Sequence, residues 1–151
     1  AVAEDDFLDK WQRWGACVTA CPANAIAALN SPDPRLAQTP VIRPSVSACV
    51  VCEGLLCTHA CPSGALLPLT DPRMIQMGLA VVSVAQCVRS RDESCTECVD
   101  KCPLGLSAIR FNDAGPPEVL AKGCTGCGVC ELYCPTTPKA IIVEASRPSR
   151  G

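Results

Sequence analysis

Large side chains are scarce in this chain. Of its 151 residues only 3% are aromatic, two Trp, two Phe and one Tyr, too few for the oily interior on which an ordinary domain of this length depends. Histidine is scarcer still: His59 stands alone, which excludes a Rieske centre, since that needs two histidine ligands. It is read as a polar residue packed beside a cysteine loop. There is no Gly-rich phosphate loop, and no catalytic residue is assigned. No apolar run approaches the roughly 20 residues that span a bilayer. With a net charge of -2 and no basic stripe, nucleic acid is not an expected partner. The opening Ala1-Val2-Ala3-Glu4-Asp5-Asp6 lacks the basic and apolar regions of an export signal, and is compatible with a mature terminus left by cleavage.

What the chain does have is 14 Cys, 14 Pro and 10 Gly. In a short chain so rich in cysteine, disulfides, zinc or iron–sulfur clusters must hold the fold. The organising stretch is Cys124-Thr125-Gly126-Cys127-Gly128-Val129-Cys130-Glu131-Leu132-Tyr133-Cys134-Pro135. It reads C-x2-C-x2-C-x3-C-P, the spacing by which bacterial ferredoxins hold cubane clusters. Three thiolates on one tight loop cap three irons of a cube. The fourth points away and serves a second cluster, while Pro135 bends the chain out of the loop. Gly126 and Gly128 let the backbone wrap closely. Zinc wants two separated thiolate pairs, and repeated C-x2-C pairs are poor disulfide spacers, so both rivals are set aside.

In chain order, Asp6 to Trp14 is amphipathic, with Phe7, Leu8, Trp11 and Trp14 at helical spacing. Cys17-x3-Cys21-Pro22 and an apolar Ala25–Leu29 follow. Pro32, Pro34, Pro40 and Pro44 make residues 30–45 an extended connector with little regular structure. The second block is Cys49-x2-Cys52-x4-Cys57-x3-Cys61-Pro62. Strands are expected toward the end of the run Met77–Val84, at Ala108–Phe111 and at Ala140–Val143, with a turn and loop over Asn112–Pro117. The third block is Cys87-x7-Cys95-x2-Cys98-x3-Cys102-Pro103, and its Arg89, Arg91, Asp92 and Glu93 read as a solvated loop. The tail from Ser146 to Gly151 is expected to fray. Cys-x3-Cys-Pro therefore occurs four times, an internal repeat. Two such units make one two-cluster module, so the fold class is α+β: two fused bacterial-type ferredoxin modules, with one cluster site degenerate.

That degeneracy lies in the first block. Counting back from Cys21 by the spacing of the fourth block puts Cys17 at the third ligand position, Trp14 at the second and Trp11 at the first. Indole cannot ligate iron, so the site is read as lost and filled by the two tryptophans. A plain amphipathic helix is the alternative. Three complete triplets remain, Cys49/Cys52/Cys57, Cys87/Cys95/Cys98 and Cys124/Cys127/Cys130. Each needs one of the fourth-position thiols Cys21, Cys61, Cys102 and Cys134. Twelve of the 14 cysteines then hold three [4Fe-4S] clusters. The metal-free chain should be largely unfolded.

The run from Cys49 to Leu66, with His59, Pro62 and Gly64 inside it, resembles the second motif of the ferredoxin-type subunits of periplasmic nitrate reductase and methylamine utilisation systems. Met77-Gly78-Leu79-Ala80-Val81, the long Cys87–Cys95 gap and the final motif follow in that family's order, so the resemblance covers about residues 5–145. It implies an exported electron carrier rather than an enzyme, working in the periplasm, with a cytoplasmic carrier as the alternative. Its partners would be redox proteins: a quinol-oxidising or cytochrome subunit, or a terminal reductase or dehydrogenase. A structural or docking subunit of a larger oxidoreductase is the competing role. Family members carry four complete motifs, and this chain departs at the first. The resemblance also implies that outer motifs pair together and inner motifs pair together. The outer module would be 1–45 with 112–151 and the inner one 46–111. The ligand sets would be Cys49, Cys52, Cys57 with Cys102; Cys87, Cys95, Cys98 with Cys61; and Cys124, Cys127, Cys130 with Cys21. Cys17 and Cys134 would be left over, close enough for a disulfide. Pairing block one with two, and three with four, would instead strand Cys17 with Cys61.

Overall fold

A computed structural model describes residues 4–91, 93–112 and 115–145; the tail expected to fray lies outside them, as do Asp92, Asp113 and Ala114. Helix α1 (Glu4–Lys10) uses the first part of the amphipathic stretch. Trp11 closes it, donating its N–H to the Phe7 carbonyl at 2.8 Å and stacking on the Phe7 ring at 5.8 Å. Trp14 lies beyond the helix and is 65% exposed. The two tryptophans differ in burial: Trp11 is buried and Trp14 is exposed.

Helix α2 (Ala16–Ala20) leads through Pro22 into β1 (Ile26–Ala28), which pairs antiparallel with β2 (Pro40–Ile42). The expected unstructured connector is thus half of a hairpin. Four prolines hid the strand, but Pro40 sits at its first position, where no ladder N–H is lost. Arg13 ties the hairpin loop down, donating from Nη2 to the Pro34 carbonyl at 2.8 Å. The hairpin returns the chain to Cys49, and helix α3 (Leu56–His59) then packs against α2.

The second half repeats this plan. Strand β3 (Gly78–Val82) pairs with the closing β6 (Ile141–Ala145), with Ala80 opposite Val143 and Val82 opposite Ile141. Alternation buries Gly78 and Ala80 while Leu79 and Val81 face out. Helix α4 (Glu97–Asp100) packs against α5 (Val129–Tyr133). Between them lies a second hairpin, β4 (Ile109–Phe111) with β5 (Pro117–Val119). Strand β5 falls just where the expected loop ends, and its Glu118 faces Arg110 across the pair at 2.9 Å. Arg89 departs from the solvated-loop reading. Its guanidinium lies 4.1 Å over the Phe111 ring and Nε donates to the Gly115 carbonyl at 2.8 Å.

A hairpin joins motif one to motif two, and another joins three to four. Across these hairpins α2 packs on α3 and α4 on α5. Cysteine shares the buried interior with small and aliphatic side chains. The larger core gathers Ala80, Cys87, Val99, Ile109, Cys130, Cys134, Ala140 and Ile141; the smaller gathers Ala48, Cys127 and Val129. Among the described residues the largest fully buried side chains are Thr125 and Cys17.

Candidate functional site

Each cysteine loop is a tight coil that hands over to a one-turn helix. In motif four Gly126 has φ +70 and Gly128, at the head of α5, has φ +88. Both need glycine for space as well as conformation. A Cβ on Gly126 would lie 2.3 Å from the Gly78 nitrogen, and one on Gly128 would lie 2.6 Å from the Pro44 Cβ. The loop is clamped from the other side too, since Cys49 N–H donates to the Cys127 carbonyl at 2.9 Å and Met77 N–H to the Thr125 carbonyl at 3.0 Å.

Motif one has the same backbone, with Trp11 and Trp14 at the first two cysteine positions. At the same offset from motif four, Arg13 (φ 58) stands for Gly126, Gly15 (φ 68) for Gly128, and α2 for α5. Trp11 and Trp14 thus lie on a loop of that shape, just beyond α1, which ends at Lys10. Motif two makes the turn with Val51 at φ 52, strained for a β-branched residue. Val51→Gly is expected to relieve about 1 kcal/mol of that strain and slow iron loss in guanidinium, whereas Val51→Ala should give no gain.

The loops bring the thiols into three groups. Cys87, Cys95, Cys98 and Cys134 line one cavity, with Pro135 and Thr136 at its edge. Burial pushes Cys98 up to about 11, and Cys95, Cys87 and Cys134 add to the push. Burial likewise raises Cys57, with Cys21, Cys52 and Cys17 as its next neighbours, and raises Cys49 beside Cys57, Cys21 and Cys52. Burial takes Cys127 up to about 11 against a hydrogen bond to Val129 N–H, with Cys102, Cys49 and Cys124 adding to the rise. Cys130 is pushed up to about 12, by burial and then by Cys127 and Cys124. Thiolates converging this closely would repel one another unless a positively charged centre held them. The donor set therefore fits a polynuclear iron–sulfur centre. Among the described residues no three His, Cys, Asp or Glu side chains stand close enough to hold a single metal ion.

The fourth-position sulfurs accept hydrogen bonds from the chain that follows them. Ala25 N–H donates to Cys21 Sγ at 3.3 Å, and the Thr136 hydroxyl lies 3.2 Å from Cys134 Sγ. Burial would raise Cys134, but the Thr136 hydroxyl and amide, with Ala140 and Ile141, outweigh it and lower the thiol. Cys61 behaves alike: burial is overcome by Leu66 N–H and Ser63, and the thiol is lowered. His59, expected beside a cysteine loop, ends α3 with Nε2 3.1 Å from the Leu69 carbonyl.

No protein-family model matches the chain. It is 38% identical to the methylamine utilization ferredoxin-type protein MauM of Methylobacillus flagellatus, over 95% of this chain and 65% of that protein. It is 33% identical to the ferredoxin-type protein NapG of Escherichia coli, over 95% of this chain and 67% of that one. MauM of Paracoccus denitrificans is 34% identical over 95% of this chain and 68% of its own length. The chain belongs to the MauM/NapG ferredoxin-type family. It spans about two thirds of the length of the relatives it matches.

The small α+β build and the 14 cysteines agree with iron–sulfur electron-transfer chemistry in this MauM/NapG member. No helix among the described residues is long and apolar enough to cross a membrane. Cys21 neighbours Cys49 and Cys57, Cys134 lines a cavity with Cys87, Cys95 and Cys98, and Cys102 neighbours Cys127. Cys17 and Cys61 line a further cavity together.

Proposed function

We propose that the chain is an electron carrier holding three [4Fe-4S] clusters, with ligand sets Cys21/Cys49/Cys52/Cys57, Cys102/Cys124/Cys127/Cys130 and Cys87/Cys95/Cys98/Cys134. The observation that carries this reading is the gathering of one complete triplet with the fourth thiol of a neighbouring motif, seen most plainly where four cysteines line one cavity. Bound there, such clusters take up and release single electrons at potentials set by hydrogen bonds and burial.

The ligand sets have an order. Cys127 has Cys49 among its neighbours and Cys130 has Cys98 among its own, so the middle set touches both others. This supports a relay running from the Cys49 site through the Cys127 site to the Cys98 site. The chain's own work is to keep these thiols together, exclude water and aim N–H groups at sulfur. Motifs one and two, with β1–β2, would form one ferredoxin module, and motifs three and four, with β4–β5, the other. Redox proteins at the two ends are the expected partners, in the periplasm.

Anaerobically purified protein should contain about twelve irons and as many sulfides per chain, and should titrate reversibly in potentiometric EPR. Iron present but redox-silent would favour the docking-subunit role. One zinc per loop and no sulfide would overturn the proposal. Chelating the iron away should also abolish the helical circular dichroism, because so little else fills the interior.

A further inference from the structure

Cys17 and Cys61 are the pair that the proposed clusters leave unused. Both line one small cavity with Trp11, Trp14 and Ser63. Cys17 sits in α2 and is 1% exposed; Cys61 follows α3, the helix packed on α2, and is half-buried. At a complete site Trp11 and Trp14 would both be thiolates. With indoles there, two sulfurs remain and no cube can be held. Trp11 is buried at the same cavity, its Nε1 without a hydrogen-bond partner, so solvent does not readily reach the deeper thiol.

Resting on the cluster reading above, we propose that Cys17 and Cys61 close a disulfide across the vacated site, tying α2 to α3 where a cluster would otherwise have done so. The chemistry balances by thiol–disulfide exchange with a small-molecule or protein disulfide as oxidant. Cys61, the more exposed, attacks as its thiolate, forming a mixed disulfide and releasing one thiol of the oxidant. Cys17 then attacks the Cys61 sulfur, forming the intramolecular S–S bond and releasing the second thiol. Two protons and two electrons leave the pair, and the oxidant's disulfide becomes two thiols.

The test uses the full-length holoprotein, purified without reductant and incubated anaerobically with glutathione disulfide. It is then denatured in acid with a chelator, alkylated and digested with trypsin. The expected result is alkylation of twelve of the 14 cysteines, with peptide 14–35 joined to peptide 36–73 and fragmentation placing the bond at Cys17 and Cys61. Alkylation of all 14, or a bond to any other cysteine, overturns the proposal. The Cys17→Ser, Cys61→Ser double variant should keep the wild-type iron content and EPR signals. Loss of about four irons in that variant would make these thiols ligands and overturn it too. Wild-type iron content speaks to the cluster reading alone, so the two failures are distinguishable.

Discussion

Cys134→Ala is expected to leave about eight irons per chain in place of about twelve, and Cys61→Ala to leave all of them. The reverse would follow from pairing outer motifs with outer. Cys134 was then a leftover and Cys61 a ligand. In the structure Cys134 lines the cavity of Cys87, Cys95 and Cys98, and is one of the eight residues of the larger core. Its loss should therefore empty that site and loosen the strand pair β3–β6 beside it. Cys21→Ala should likewise cost about four irons, taken from the Cys49/Cys52/Cys57 site, with the other two EPR signals retained. Metal analysis of the three variants, purified side by side without oxygen, checks the whole ligand assignment.

Gly126→Ala should be nearly as damaging without touching a sulfur. The methyl would be placed 2.3 Å from the Gly78 nitrogen and 2.6 Å from its Cα, and both are backbone atoms that cannot rotate aside. The residue also holds φ +70, which costs an L side chain roughly 1–2 kcal/mol. With the overlap added, a loss of order 3 kcal/mol or more is expected. Its visible form would be low yield and rapid bleaching of the preparation, because this loop would carry the middle of the three proposed ligand sets. Gly64→Ala is the control. Gly64 also has positive φ, but nothing lies within 4 Å of an added Cβ, so only the conformational cost of about 1–2 kcal/mol applies.

The sequence spacing was enough to mark the cysteine loops, because cluster chemistry fixes residue type and interval together. The strands at Gly78–Val82, Ile109–Phe111 and Ile141–Ala145 were also visible, being β-branched and short. Strands β2 and β5 were not. Each begins at a proline, Pro40 and Pro117, and proline signals a loop unless the strand is an edge. With β1 (Ile26–Ala28) read only as part of an apolar run, missing those strands meant missing both hairpins. Which fourth thiol joins which triplet is a long-range fact that spacing within a motif does not encode. The backbone likeness of Arg13 and Gly15 to Gly126 and Gly128 was half visible, in the alignment that put Trp11 and Trp14 at ligand positions. Burial of Trp11 and exposure of Trp14 were not, since helical periodicity suggested one continuous face.

Anomalous diffraction at the iron edge, from anaerobically grown crystals, tests the central claim most directly. Three compact iron peaks are predicted, ringed by the sulfurs of Cys21/Cys49/Cys52/Cys57, Cys102/Cys124/Cys127/Cys130 and Cys87/Cys95/Cys98/Cys134, with none between Cys17 and Cys61. An iron peak bounded by Cys61, or single metal ions in place of clusters, would contradict the account.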